Sequence, residues 1–289
     1  MSPLRHNFLS GDGVRLSWLE AGSGPTLIML PGWSQSAALF REQFAGLSGK
    51  IHCLSLDHRG HGESDKPSYG YRISRLAQDL RELIDHCELD QITLLGHSMG
   101  SSVIWAYLDA YGEDRLAGLV IDDQPPAMTL LEHESDVARK HAGAIFPWPQ
   151  LNATCAELSG PKGAAARRQM IGAMLSNRIS KVDRDWILGE NDKFPSQHAA
   201  TLLFNTSTQD WRDLIPRITL PTLIIGGEGS VVPPESQRWI HSQLRRSQVE
   251  ILPSDQGGYH FGFLENPRRF NELVGCFISS NAAAAITSG

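Results

Sequence analysis

Five consecutive residues, Gly96-His97-Ser98-Met99-Gly100, have the types and spacing of a turn that presents a nucleophile. They follow a short apolar run and precede an amphipathic stretch, so a strand would enter the turn and a helix would leave it. So sharp a turn has no room for a side chain where strand and helix approach, hence the flanking glycines. It thrusts the serine out at the carboxyl edge of a sheet. A serine hydroxyl attacks a carbonyl well only when a base removes its proton. Among the 11 histidines, His260 is placed for this. It follows the last apolar run and the segment Gln256-Gly257-Gly258-Tyr259, and it precedes the final helix. A loop in that place returns to the carboxyl edge of an open sheet. Asp57, His58 and His61 also lie close together. Two histidines in one glycine-rich turn lack the further ligands a catalytic metal needs, so a structural turn is expected there and no metal.

The elements that must position these residues read as alternating strands and helices. Gly11-Asp12-Gly13 between residues 7–10 and 14–19 predicts an opening hairpin. Short apolar runs at 27–30, 51–56, 91–95, 118–121, 222–225 and 249–252 predict further strands, the continuous ones covered on both faces. Between 73 and 87 the apolar residues Ile73, Leu76, Ala77, Leu80, Leu83, Ile84 and Cys87 have helical spacing. A second helix is expected over 103–111. A last one starts with Asn266 as cap and Pro267 at its first position. Its buried stripe would be Phe270, Leu273, Val274, Phe277 and Ile278, with a frayed tail over 281–289. This alternation predicts an α/β fold with a mostly parallel sheet and helices on both faces. Residues 127–218 break the rhythm. They hold no strand-like run but carry Trp148, Trp186, Trp211, Phe146, Phe194 and Phe204. They read as a mostly helical cap inserted into a core made of residues 1–126 and 219–289. Trp148 and Trp186 are candidates to face a pocket beneath it.

With these residues in view, the chain resembles the alpha/beta-hydrolase superfamily over nearly its whole length. Pro31-Gly32-Trp33 matches the oxyanion-hole loop, and residues 57–64, Asp-His-Arg-Gly-His-Gly-Glu-Ser, match the family's Asp-x-x-Gly-x-Gly-x-Ser loop. Ser98 matches the nucleophile, and residues 260–267, His-Phe-Gly-Phe-Leu-Glu-Asn-Pro, match the segment that holds the base. The resemblance implies an eight-stranded sheet with the cap after strand six. It also implies that the backbone N–H groups of Trp33 and Met99 stabilise the oxyanion, each such donor contributing about 3 kcal/mol. The acid departs from the pattern. Most relatives carry an aspartate after the seventh strand, in a Gly-x-x-Asp arrangement, where this chain reads Gly227-Glu228-Gly229-Ser230. Either Glu228 substitutes from nearby, or the acid comes from the end of strand six through Asp123 or Asp122, as in a subset of relatives. Asp123 is favoured, because it matches the strand-end aspartate and neighbouring strand residues point opposite ways.

The remaining composition narrows the function. A formal charge of −6 argues against nucleic acid as a partner, which would need clustered Lys and Arg. No apolar run approaches a membrane span, and residues 1–10 do not read as a secretory signal. Cys53, Cys87, Cys155 and Cys276 are widely spaced and read as free thiols, buried for Cys53 and Cys87, which suits a cytoplasmic protein. The expected activity is that of a cofactor-free serine hydrolase. It would cleave an ester, a lactone or a related carbonyl-adjacent bond of a small, largely apolar substrate through a Ser98 acyl-enzyme. Thioesters and carbon–carbon bonds beside a ketone fit the same chemistry. A cofactor-independent dioxygenase of quinolone-like rings is an alternative, resembled in the loop at 30–33 and in a strand-six acid. A small-molecule receptor is another. The complete serine turn favours hydrolysis over both.

Overall fold

The computed structural model describes residues 2–130 and 132–287. A hairpin opens the chain, with β1 (Leu4–Leu9) and β2 (Arg15–Ala21) paired antiparallel. β2 also pairs antiparallel with β4 (His52–Asp57). From there the sheet is parallel through β3 (Thr26–Leu30), β5 (Ile92–His97), β6 (Leu116–Asp122), β7 (Thr222–Gly227) and β8 (Ser247–Leu252). The spatial order is β1-β2-β4-β3-β5-β6-β7-β8. The chain therefore leaves β3 toward one edge and returns to build toward the other. The carboxyl ends of β3 and β5 flank this switch point, where an open α/β sheet leaves a crevice.

Burial explains the apolar runs. Leu27, Ile28, Met29 and Leu30 on β3 have no exposed surface, as a central strand covered on both faces requires. The covering helices are α1 (Arg41–Leu47), α2 (Ile73–His86) and α3 (Met99–Tyr111). α2 buries Ile73, Leu76, Ala77, Leu80, Leu83 and Ile84, the expected stripe, with Cys87 half-buried at its end. Five helices then lie between β6 and β7: α4 (Asp136–Ala142), α5 (Trp148–Ser159), α6 (Gly163–Ala173), α7 (Lys181–Asp192) and α8 (Ser196–Ser207). This stretch leaves and re-enters the sheet at one place. Ala127 bridges to Asp210, the Trp211 N–H donates to Pro126 O at 2.9 Å, and Arg212 forks onto Glu134.

The chain closes with α9 (Pro234–Gln243), the short α10 (Gly262–Glu265) and α11 (Pro267–Thr287). α11 packs on α1 and buries Phe270, Val274, Phe277 and Ile278. Its backbone stays helical to Thr287, where a frayed tail over 281–289 was expected. Residues 282–285 are alanines, the best helix formers, and their propensity favours continuing the helix. Residues 288–289 lie outside the described part. Cys53 is buried, Cys87 and Cys155 are half-buried and Cys276 is exposed, all as free thiols. Among the described residues no helix is long and apolar enough to cross a membrane.

Candidate active site

Ser98 sits between β5 and α3 with φ 51° and ψ −126°, backbone that L-residues rarely adopt. Its neighbours hold it there. The Ser98 N–H donates to Asp122 O at 2.8 Å, and Ser98 O accepts from the Ser101 N–H at 2.8 Å. A Cβ on Gly96 would lie 2.4 Å from Ser101 N, and one on Gly100 would lie 2.2 Å from Leu30 O. Only glycine fits at either place, which is why the turn has its spacing. Strain held by surrounding structure at one partly buried serine is a mark of function.

His260 and Asp123 meet beside it. His260 Nδ1 donates to Asp123 Oδ2 at 2.6 Å, and both residues are buried. This fixes the tautomer, leaving Nε2 as the free, basic nitrogen. Asp123 lies one residue beyond β6 with φ 50°, a second strained position. The Ser230 hydroxyl donates to the same Oδ2 and in turn accepts the Val232 N–H at 3.1 Å. Glu228 turns elsewhere, its Oε2 taking the Ser254 N–H at 3.3 Å. Asp122 serves a different histidine. It is in register with His97 across the β5–β6 ladder, and their side chains are 3.0 Å apart. Burial first, and then the charge of Asp123, push the Asp122 carboxyl well above its usual range. Burial first, and then His260, push His97 well below. Both shifts disfavour charge on this pair. The His97 and His260 rings lie 4.7 Å apart.

The loop after β3 approaches from the other side. Among the described residues, neither the Trp33 nor the Met99 backbone N–H has an acceptor, and Met99 opens α3, where the helix dipole favours negative charge. The loop is braced from two directions. The Ser34 N–H donates to His61 Nε2 at 3.2 Å, while His61 Nδ1 donates to Arg59 O at 2.9 Å. Trp33 Nε1 donates to Ala199 O at 2.8 Å, Ser34 Oγ to Asn191 at 2.5 Å and Ser36 Oγ to Glu190 at 2.6 Å. Asp57 accepts the Ala37 and Glu63 N–H groups, and His58 Nε2 donates to Pro31 O at 3.2 Å. The histidines of residues 57–64 thus bond backbone and brace the loop.

Ser98 and His260 border one narrow cavity of about 40 Å³, also lined by Trp33 and Met99. Trp148 and Trp186 do not line it. Trp148 is 36% exposed at the start of α5, and Trp186 lies under the Arg41 guanidinium, 4.0 Å from its ring centre. The apolar wall comes instead from Met128, Ile145, Phe146, Met170, Met174 and Leu203, with the amides of Gln35 and Gln124. One sequence signal pointed there. Of the six methionines, Met128, Met170 and Met174 fall within residues 127–218, and such unbranched, adaptable side chains suit a site that must admit a ligand.

Known proteins share this architecture. A bromoperoxidase from Bacillus anthracis superposes with a TM-score of 0.85 at 22% identity, over 95% of this chain and 100% of that one. An esterase from Exiguobacterium antarcticum superposes with a TM-score of 0.83 at 23% identity, over 94% and 98%. A soluble epoxide hydrolase from Corynebacterium sp. is 34% identical over 147 residues, which are 50% of this chain and 47% of that protein. Matched from residue 25 to residue 267 by the model of the alpha/beta hydrolase fold family, the chain belongs to that family.

Proposed function

We propose that the protein is a serine hydrolase that cleaves an ester or lactone of a small, chiefly apolar acid through an acyl group on Ser98. The observation that carries this reading is the strained Ser98 sharing a cavity with His260, whose Nδ1 is held by Asp123. In the proposed reaction His260 Nε2 takes the hydroxyl proton as Ser98 Oγ bonds to the carbonyl carbon. The carbonyl oxygen gains negative charge and turns to the N–H groups of Trp33 and Met99. The proton passes from His260 to the departing alkoxide, and the acyl group stays on Ser98. A water deprotonated by His260 then releases the acid. Asp123 accepts the Nδ1–H throughout and stabilises the imidazolium formed in each half. Residues 127–218 act as the cap that shapes the apolar end of the site.

The esterase likeness fits this chemistry, whereas epoxide opening does not carry over. Serine attack on an epoxide carbon would leave an ether, which water does not release as it releases an ester. The test is labelling with a fluorophosphonate, together with turnover of simple esters by wild type and Ser98→Ala. Wild type should be labelled at Ser98, and the variant should fold but lose several orders of magnitude in rate. Near-wild-type hydrolysis by a folded Ser98→Ala protein would remove covalent catalysis from the account.

A further inference from the structure

The cavity at Ser98 is too small for a whole substrate. Its volume of about 40 Å³ accommodates about three water-sized groups, enough for a reacting carbonyl and little more. A second chamber of about 400 Å³ lies between the faces of α5 and α6. Thr154 and Leu158 stand four residues apart on one face, and Ala166, Met170 and Ala173 recur at helical spacing on the other. Ile145, Phe146, Met170, Met174 and Val231 line both spaces and form the wall between them.

Resting on the serine hydrolase reading, we propose that the substrate is elongated, with its acyl chain passing from Ser98 between Met170 and Met174 into this outer chamber. The wall is suited to opening. The two methionines sit one turn apart on and just beyond α6, each with three rotatable bonds, and side-chain rotamers of this kind exchange rapidly without backbone motion. Phe146 lies in the segment joining α4 to α5, and Val231 is 40% exposed in the loop after β7. The outer chamber also selects charge. Its described lining holds Glu157 and no basic residue, with Gln150, Thr154 and Gln169 as its other polar groups. It therefore suits a neutral, mainly aliphatic chain and disfavours one that ends in a carboxylate. The chemical class is an ester or lactone of a medium-chain, uncharged aliphatic acid.

The experiment is a series of 4-nitrophenyl esters of acetic, butanoic, hexanoic and octanoic acid. Burying each CH₂ is worth about fourfold in binding, so kcat/KM of wild type should rise at least about tenfold along the series. Ala173 and Gln169 line the outer chamber alone and are exposed on α6. Ala173→Phe and Gln169→Trp, two independent ways of filling that chamber, should each lower the octanoate-to-acetate ratio at least about tenfold. An unchanged ratio in both folded variants would overturn the proposal. So would an active wild type whose rate does not rise with chain length. Absence of both ester turnover and fluorophosphonate labelling would instead sink the hydrolase reading, and this inference with it.

Discussion

Ser230 and His260 converge on a single oxygen, Asp123 Oδ2, which accepts both the hydroxyl and the Nδ1–H. Ser230, at the position where the resemblance places the acid, is thus hydrogen-bonded to the carboxylate proposed to act in its stead. Asp123→Asn should lower kcat by about three to four orders of magnitude, because an amide favours the wrong imidazole tautomer and cannot stabilise imidazolium. Asp122→Asn should stay within about tenfold of wild type, since Asp122 pairs with His97 and not with His260, and an amide can keep that hydrogen bond. Glu228→Gln should be milder still, its carboxylate being turned to the Ser254 N–H. The pair Asp123→Ser with Ser230→Asp should recover at least about tenfold over Asp123→Ser alone. Activity assays under one condition decide all of these. A crippled Asp122→Asn beside a healthy Asp123→Asn would reverse the assignment. The doubt over the acid in the sequence had a simple cause. Asp123, Ser230 and His260 are separated by more than a hundred residues at one step, so no local spacing could say which carboxylate arrives at the ring.

At the scale of elements, the helices between β6 and β7 do more than cover the pocket. α7 and α8 hydrogen-bond the loop that follows β3 at Trp33, Ser34 and Ser36, so they help aim the Trp33 N–H. Residues 127–218 are therefore tied to the loop after β3 as well as to the pocket. Asn191, buried at the end of α7, holds Ser34 Oγ and anchors its own Nδ2 on Ile187 O. Asn191→Ala should loosen the loop and lower kcat about tenfold, well short of the loss expected from removing an oxyanion donor outright. The loss should be equal across acyl lengths, with KM little changed. A shifted acyl-length preference at intact kcat would mean that Asn191 shapes the pocket and not the loop.

At the scale of the molecule, buried titratable groups set how stability depends on pH. Burial pushes His58 down to about 4 and His61 down to about 3, from an ordinary value near 6.5. The unfolded chain therefore takes up these protons first as pH falls. Stability held at neutral pH is lost from about pH 6.5 downward, until the folded values near 4 and 3 are passed. Asp57, Asp79 and Asp122, raised mainly by burial, act in the opposite sense, because the folded state keeps their protons longer as pH rises. Comparison with variants separates the two. In His58→Gln and His61→Gln, the loss of unfolding free energy between pH 7 and pH 5 should each be smaller than in wild type by about 2 kcal/mol. Denaturant titrations at the two pH values provide the measurement, and an undiminished loss would place the acid sensitivity elsewhere.

Much of the sheet and the serine turn was legible in the sequence, because the burial of each strand and the shape of the turn leave their mark on consecutive residues. Glycines at 96 and 100 answer steric contacts within the turn and its neighbouring strand, and continuous apolar runs answer burial on both faces. The pocket lining from residues 127–218 was not legible in the same way. α5 buries only Leu151 and Leu158, so its periodicity does not declare which face meets the cavity, and tryptophan content pointed to Trp148 and Trp186, which do not line it. Which carboxylate meets His260, which methionines wall the pocket and which helices brace the loop after β3 depend on strand order and loop convergence. Those are decided only when distant segments fold against the same carboxyl edge of the sheet.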